Sequence, residues 1–130
     1  MKPARQLLVV DDELDVREML AVLLTRHGFA VRTAAGGMEA LVLAQEKLPD
    51  LILLDIMMHD MDGWEVLKLL QLDEATQRVP VVILSARAEP RDRIRGLQEG
   101  AVDYLAKPVA IEEVVARIES ILGEGRAENP

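Results

Sequence analysis

Hydrophobic positions along this chain fall into two alternating rhythms. Short unbroken aliphatic runs occur at Gln6–Val10, at Leu51–Leu54 and at residues 79–84. Runs of this length without polar interruptions read as strands buried on both faces, the kind found in parallel sheets covered by helices. Residues 29–33 alternate and are β-prone, predicting a further strand near a sheet edge. Residues 101–105 predict a fifth, more polar strand. Between the strands the spacing lengthens to that of helices. Val16, Met19, Leu20, Leu23 and Leu24 mark the first helix, which His27-Gly28 closes. A second opens at Gly36-Gly37 and carries Met38, Leu41, Val42 and Leu48 on one side. Asp62 is the predicted N-cap of a third over residues 63–71. A fourth starts near Pro90, turns Ile94 and Leu97 inward and stops near Gly100. The last spans Ile111–Leu122, with Val114, Val115, Ile118, Ile121 and Leu122 in one stripe. Five β–α units in strict alternation predict an α/β fold, a doubly wound five-stranded parallel sheet with right-handed crossovers.

Composition narrows the function. At 130 residues the chain is of single-domain length, and 15 basic against 23 acidic residues give a formal charge of −8. That balance argues against a nucleic-acid surface, which needs clustered Lys and Arg. Cysteine is absent, so there is no disulfide framework and no thiolate metal site. No apolar run approaches membrane-spanning length and the N-terminus lacks a signal-peptide pattern, so a cytoplasmic protein is expected.

The candidate chemistry collects at strand ends. Asp11-Asp12, Asp55, Ser85 and Lys107 each follow or close a predicted strand, and open α/β sheets bind ligands outside those carboxyl ends. If the first and third strands are neighbours, three carboxylates converge. Such a group must take up protons or hold a cation. Mg²⁺ suits it, because that ion accepts a few carboxylates and keeps several waters. Three carboxylates, a divalent ion and the Lys107 ammonium together balance in charge. This arrangement suits phosphoryl transfer, with Asp55 as nucleophile and Ser85 and Lys107 holding phosphoryl oxygens.

The segments Leu-Leu-Val-Val-Asp11-Asp12-Glu13, Leu-Leu-Asp55-Ile-Met-Met with Asp60-Met-Asp62-Gly63, Ser85-Ala86, and Gly100-Ala-Val-Asp-Tyr104-Leu-Ala-Lys107-Pro108 stand in the order of a known family. The chain resembles the response-regulator receiver (CheY-like) domains of bacterial two-component signalling from about Gln6 to Leu122, which implies a receiver domain over residues 1–122; residues 123–130 are expected to form a polar tail or the start of a linker. The resemblance implies a flavodoxin-like sheet of order 2-1-3-4-5 and phosphorylation of Asp55 by the phosphohistidine of a sensor histidine kinase. It implies Mg²⁺ held by Asp11, Asp12, Asp55 and the backbone carbonyl of Met57. Ser85 and Tyr104 match the family's switch hydroxyl and rotating aromatic, and the Lys107–Pro108 peptide is expected cis. Met57 and Arg87 stand where the family tunes acyl-phosphate lifetime. The chain departs from the family at His59, where proline is usual.

Arg93, Asp103, Glu113 and Arg117 resemble positions through which receivers of winged-helix (OmpR/PhoB-like) transcription factors dimerise. They imply a phosphorylation-promoted homodimer with intermolecular pairs Arg93–Glu113 and Asp103–Arg117. Arg91 and Arg95 read as a solvated helix face, and His59 as an exposed loop residue rather than a ligand. The expected function is a phosphorylation-activated switch, not a turnover enzyme, that alters a partner or an output domain. The alternatives are a phosphorylation-independent scaffold of the same fold and a Mg²⁺-dependent phosphohydrolase. The phosphohydrolase would need an acid at position 57, where this chain has methionine. A flavin protein of similar fold would need a Ser/Thr/Gly-rich loop in place of Asp11-Asp12-Glu13.

Overall fold

A computed structural model describes residues 3–123. The elements follow in the order β1 (Gln6–Val10), α1 (Leu14–Arg26), β2 (Ala30–Ala34), α2 (Gly37–Glu46), β3 (Leu51–Leu54), α3 (Gly63–Leu72), β4 (Val81–Ser85), α4 (Pro90–Gln98), β5 (Asp103–Ala106) and α5 (Ile111–Leu122). All neighbouring strands are parallel and the sheet order is β2-β1-β3-β4-β5. The predicted fold is therefore the observed one, with β2 at an edge. Of the tail, only Gly123 lies among the described residues.

The aliphatic strands serve both layers because successive side chains point to opposite faces. Leu8, Val10, Ile52, Leu54, Val81 and Ile83 face a core completed by Ala40 and Ala44 of α2, Val66, Leu67 and Leu70 of α3, and Tyr104. Leu7, Val9, Leu51, Leu53, Val82 and Leu84 face Leu20 and Leu24 of α1 and Val114, Val115 and Ile118 of α5. The α5 stripe matches the prediction, with Ile121 and Leu122 partly buried.

Two helices sit on other faces than their apolar residues predict. In α4, Ile94 and Leu97 are more than half exposed, and Asp92 and Gly96 face inward instead. The reason is steric. A Cβ on Gly96 would lie 2.7 Å from the Tyr104 ring and 3.0 Å from Ile83 Cδ1, so the missing side chain is what lets Tyr104 fit beneath the helix. In α2, Met38 and Val42 are exposed, Leu48 lies beyond the helix and is also exposed, and Gly37, Ala40 and Ala44 make the contact. Small residues allow the close approach, with the predicted Leu41 packed partly buried beside them and Met38 and Val42 left outside. In α1, likewise, Leu20 and Leu24 are buried while Met19 is half exposed.

Strand boundaries shift by one or two residues. Predicted strands at 29–33, 79–84 and 101–105 are observed as Ala30–Ala34, Val81–Ser85 and Asp103–Ala106. Pro80 lacks a donor, and Val79 N–H goes to Thr76 O rather than to the sheet. Ala101 N–H is spent on Gly96 O, which ties it to the end of α4.

Candidate functional site

The strand order makes β1 and β3 neighbours, in register Val10 opposite Leu54. Each chain then runs one residue further, into an aspartate. Asp55 N–H donates to Val10 O at 3.0 Å, and Asp11 N–H donates to Ala34 O at 3.1 Å. Both side chains are buried, at 2% exposure for Asp11 and 5% for Asp55. Asp12 joins them: one carboxylate oxygen from each of the three lies within 4.8 Å of the others. The three acids thus converge as the sequence predicts.

Lys107 enters from the far side of the sheet, after β5, where its N–H is fixed on Ser85 O at 2.9 Å. Its Nζ donates to Asp11 Oδ2 at 2.7 Å and to Asp55 Oδ2 at 3.3 Å, and lies 3.8 Å from Glu13 Oε1. Burial pushes the ammonium toward the neutral form. The bond to Asp11 and the charges of Asp55 and Asp11 outweigh it and hold Lys107 above the ordinary lysine value. Asp55 is shifted the other way from the usual salt-bridged carboxylate. Burial raises its pKa, more than the Met57 N–H on Oδ1 (3.1 Å) and Lys107 lower it. One ammonium does not neutralise this cluster. The excess negative charge, on carboxylates already converging, fits a small divalent cation, which would complete the balance.

The loop after Asp55 is fixed tightly. Gly63 N–H donates to Ile56 O at 2.8 Å, and a Cβ on Gly63 would lie 2.5 Å from both Asp55 O and Ile56 Cα. Only glycine allows α3 to start this close to the backbone that follows β3. Asp62 caps the same helix, accepting from Glu65 N–H at 2.9 Å, as predicted. Asp60 carries the loop outward to α2, accepting from Gly37 N–H at 3.1 Å and Met38 N–H at 3.4 Å. Its bond from Gly37 leads the effects holding its carboxyl below the usual range. A Cβ on Gly36 would meet that carboxylate, so the Gly36-Gly37 turn holds a protein anion, and the pair is no phosphate cradle.

Ser85 ends β4 fully buried, its Oγ accepting from Arg87 N–H at 3.1 Å. Tyr104 is also buried, with its ring turned in and its hydroxyl donating to Arg87 O. Burial, then the charge of Asp92, raises the phenol's pKa and keeps it a donor. The Lys107–Pro108 peptide is cis, as expected. Arg87, Met57, Ala86 and Trp64 line the open cleft beside Asp55 and Lys107.

Several contacts were not visible in the sequence. Arg87 Nε bonds the buried Asp92 at 3.1 Å. Arg95, read as solvated, stacks on the Trp64 ring at 4.0 Å. His59 is exposed as expected, yet it bonds Asp12. Asp12 does not cap α1; the N-cap residue is Glu13, whose N–H goes to Asp11 Oδ1 at 2.9 Å. The one advance signal was the unusual histidine at position 59. At the other end of the domain, Arg117 pairs within its own chain, at 2.6 Å to Asp103 and 3.4 Å to Glu113. Arg93 donates to Ala88 O and Tyr104 O, over the Tyr104 ring.

A parallel sheet of this order with an acidic cluster, a lysine, a hydroxyl and a buried aromatic at its carboxyl end defines a class. A family model described as the response regulator receiver domain matches residues 7–119, and the chain belongs to that family. Among curated relatives, the phosphate regulon transcriptional regulatory protein PhoB of Escherichia coli (strain K12) is 43% identical over 119 residues, covering 92% of this chain and 52% of that protein. The DNA-binding dual master transcriptional regulator RpaA of Synechocystis is 37% identical, covering 90% and 48%. The chain spans about half the length of the curated relatives it matches. Among solved structures, a putative response regulator from Chloroflexus aurantiacus superposes with TM-score 0.87 at 38% identity, covering 92% of this chain and 98% of that one. The chemotaxis protein CheY4 of Vibrio cholerae gives 0.86 at 30%, covering 91% and 98%.

The raised Asp55 pKa has a stability consequence. A carboxyl that holds its proton more tightly in the folded state makes its ionised form a cost above the unfolded pKa. That cost disappears as pH falls below the ordinary aspartate value. In metal-free buffer, Asp55→Asn is expected to raise the melting temperature at pH 7, with the gain vanishing near pH 3. Melting curves across that range check it; a variant less stable than wild type at pH 7 contradicts it.

Proposed function

We propose that this receiver domain is a phosphorylation-activated switch in which Asp55 accepts the phosphoryl group from a sensor histidine kinase. Phosphorylation-dependent switching is general to the family; the residue assignment rests on the geometry. The observation that carries it is the buried Asp55 carboxylate at the end of β3, placed between Lys107 and two further acids.

In the step, an Asp55 carboxylate oxygen forms a bond to phosphorus in line with the departing group. The P–N bond to the donor imidazole breaks, its electron pair stays on nitrogen, and the product is an acyl phosphate. Asp11, Asp12, Asp55 and the Met57 carbonyl would hold Mg²⁺, which when bound supplies positive charge to the phosphoryl oxygens. Lys107 adds a second positive charge and keeps Asp55 oriented. The Ser85 Oγ, now engaged by Arg87 N–H, can turn its own proton toward a phosphoryl oxygen. Arg87 carries that movement outward, because its carbonyl holds Tyr104 and its side chain holds Asp92 of α4. A charge change at Asp55 therefore has a connected route to the α4–β5–α5 surface.

That surface is the second part of the proposal, a phosphorylation-promoted homodimer through Arg93, Asp103, Glu113 and Arg117. Supporting it are the exposed apolar Ile94, Leu97 and Val102 amid these charges. The Asp103–Arg117 pair is already closed within the chain, so pairing across a dimer requires exchange of that bond between copies. Exposed pairs contribute only about 0–1 kcal/mol each, so they would set orientation while apolar contact supplies affinity.

Incubation with Mg²⁺ and acetyl phosphate should add the mass of one phosphoryl group to wild type and none to Asp55→Asn, and chelation should prevent it. An equal adduct on the variant would move the acceptor elsewhere. Sedimentation of the phosphorylated protein should show dimer, reduced by Arg93→Glu. Unchanged dimer in that variant would exclude this interface.

A further inference from the structure

The rim of the cleft holds one residue whose contacts the phosphoryl-transfer reading leaves unused. His59 sits four residues after Asp55, on the loop that leads to α3. Its backbone N–H donates to Asp12 Oδ2 at 3.0 Å, and its ring Nδ1 lies 2.5 Å from the same oxygen. A carboxylate offers no proton, so Nδ1 is the donor. The imidazole is almost wholly exposed, with 97% of the side chain open, whereas the Asp12 side chain is at 14%.

Two donors from one residue thus converge on one carboxylate oxygen. Asp12 stands in the loop between β1 and α1, and its Oδ2 accepts both His59 bonds. With His59 attached, Asp12 still places an oxygen within 4.8 Å of oxygens of Asp11 and Asp55. The two bonds therefore hold the carboxylate in the position from which it joins the cluster. The same loop is anchored beyond His59 by Asp60 on the start of α2, so the histidine is itself held in place. Its ring nitrogens do not join the cluster of ligand atoms, which comprises Asp11, Asp12 and Asp55. The contact is one of orientation.

We infer that His59 is a positioning residue for divalent-cation binding: its imidazole and backbone N–H fix the Asp12 carboxylate toward Asp11 and Asp55 before the ion arrives. The inference rests on the reading that these three acids hold such an ion. Groups that hydrogen-bond a ligating carboxylate commonly contribute about 10- to 100-fold in metal affinity. An imidazole this exposed to water belongs at the lower end. A proline at this position would remove both donors, since it has neither the ring nitrogen nor an N–H.

The test is Mg²⁺ binding to the full chain, followed by the fluorescence of Trp64, the single tryptophan, which lines the same cleft, and by calorimetry. His59→Ala keeps the backbone donor and should weaken Mg²⁺ about tenfold or somewhat less. His59→Pro should weaken it further, and His59→Asn, which restores a side-chain N–H, should recover most of the loss. Mn²⁺ affinity should fall by the same factor. Unchanged Mg²⁺ affinity in both the Ala and Pro variants, with wild type binding normally, would overturn the inference. So would a loss confined to Mn²⁺ or Zn²⁺, which would make His59 a direct ligand. Absence of Mg²⁺ binding by wild type would remove the metal reading itself and the inference with it.

Discussion

A single ammonium, that of Lys107, stands between two buried carboxylates contributed by strands at the centre of the sheet. Asp11 and Asp55 lie side by side because β1 and β3 are paired, and both are out of water. Like charges so placed would drive one of them to take a proton. Lys107 relieves that, with its bonds of 2.7 and 3.3 Å, but only in part. Asp55 remains shifted toward the protonated form by its burial. The site is left wanting more positive charge and more hydrogen-bond donors. That deficit is what the proposed divalent ion and incoming phosphoryl group would meet.

The fold keeps this deficit from dissipating. Strands of alternating inward and outward side chains bury both sheet faces, so their carboxyl ends are held rigidly. Gly63 lets α3 begin against the backbone of Asp55, and the lysine backbone is tied to Ser85. Around Arg87, which lines the cleft beside Asp55, the residues Ser85, Tyr104 and the buried Asp92 of α4 form one connected set. Under the proposed switch, a charge change at Asp55 would reach the helix surface through these bonds.

The sheet was legible because buried parallel strands need aliphatic runs, and those runs admit few other readings. The acidic cluster and Lys107 were legible because charged residues at the ends of such strands have a predictable meeting place. Helix faces were less so. Ile94, Leu97, Met38 and Val42 fit an inward stripe by spacing, but the inward positions went to Gly96, Ala40 and Ala44. Close approach of helix to sheet, and room for the Tyr104 ring, outweighed the burial of larger side chains. Contacts between remote segments were hidden for another reason: His59 with Asp12 and Arg95 with Trp64 depend on how loops and helices come together, which periodicity does not encode. The departure at position 59 marked the first of these without revealing its partner.

The most direct measurement is the position of the phosphoryl group itself. Protein phosphorylated with acetyl phosphate in Mg²⁺ is reduced with borohydride, which converts an aspartyl phosphate to homoserine, and its peptides are sequenced by mass spectrometry. The account predicts homoserine at position 55 and unmodified aspartate at positions 11 and 12. Homoserine at either of those two positions, with Asp55 intact, would contradict it.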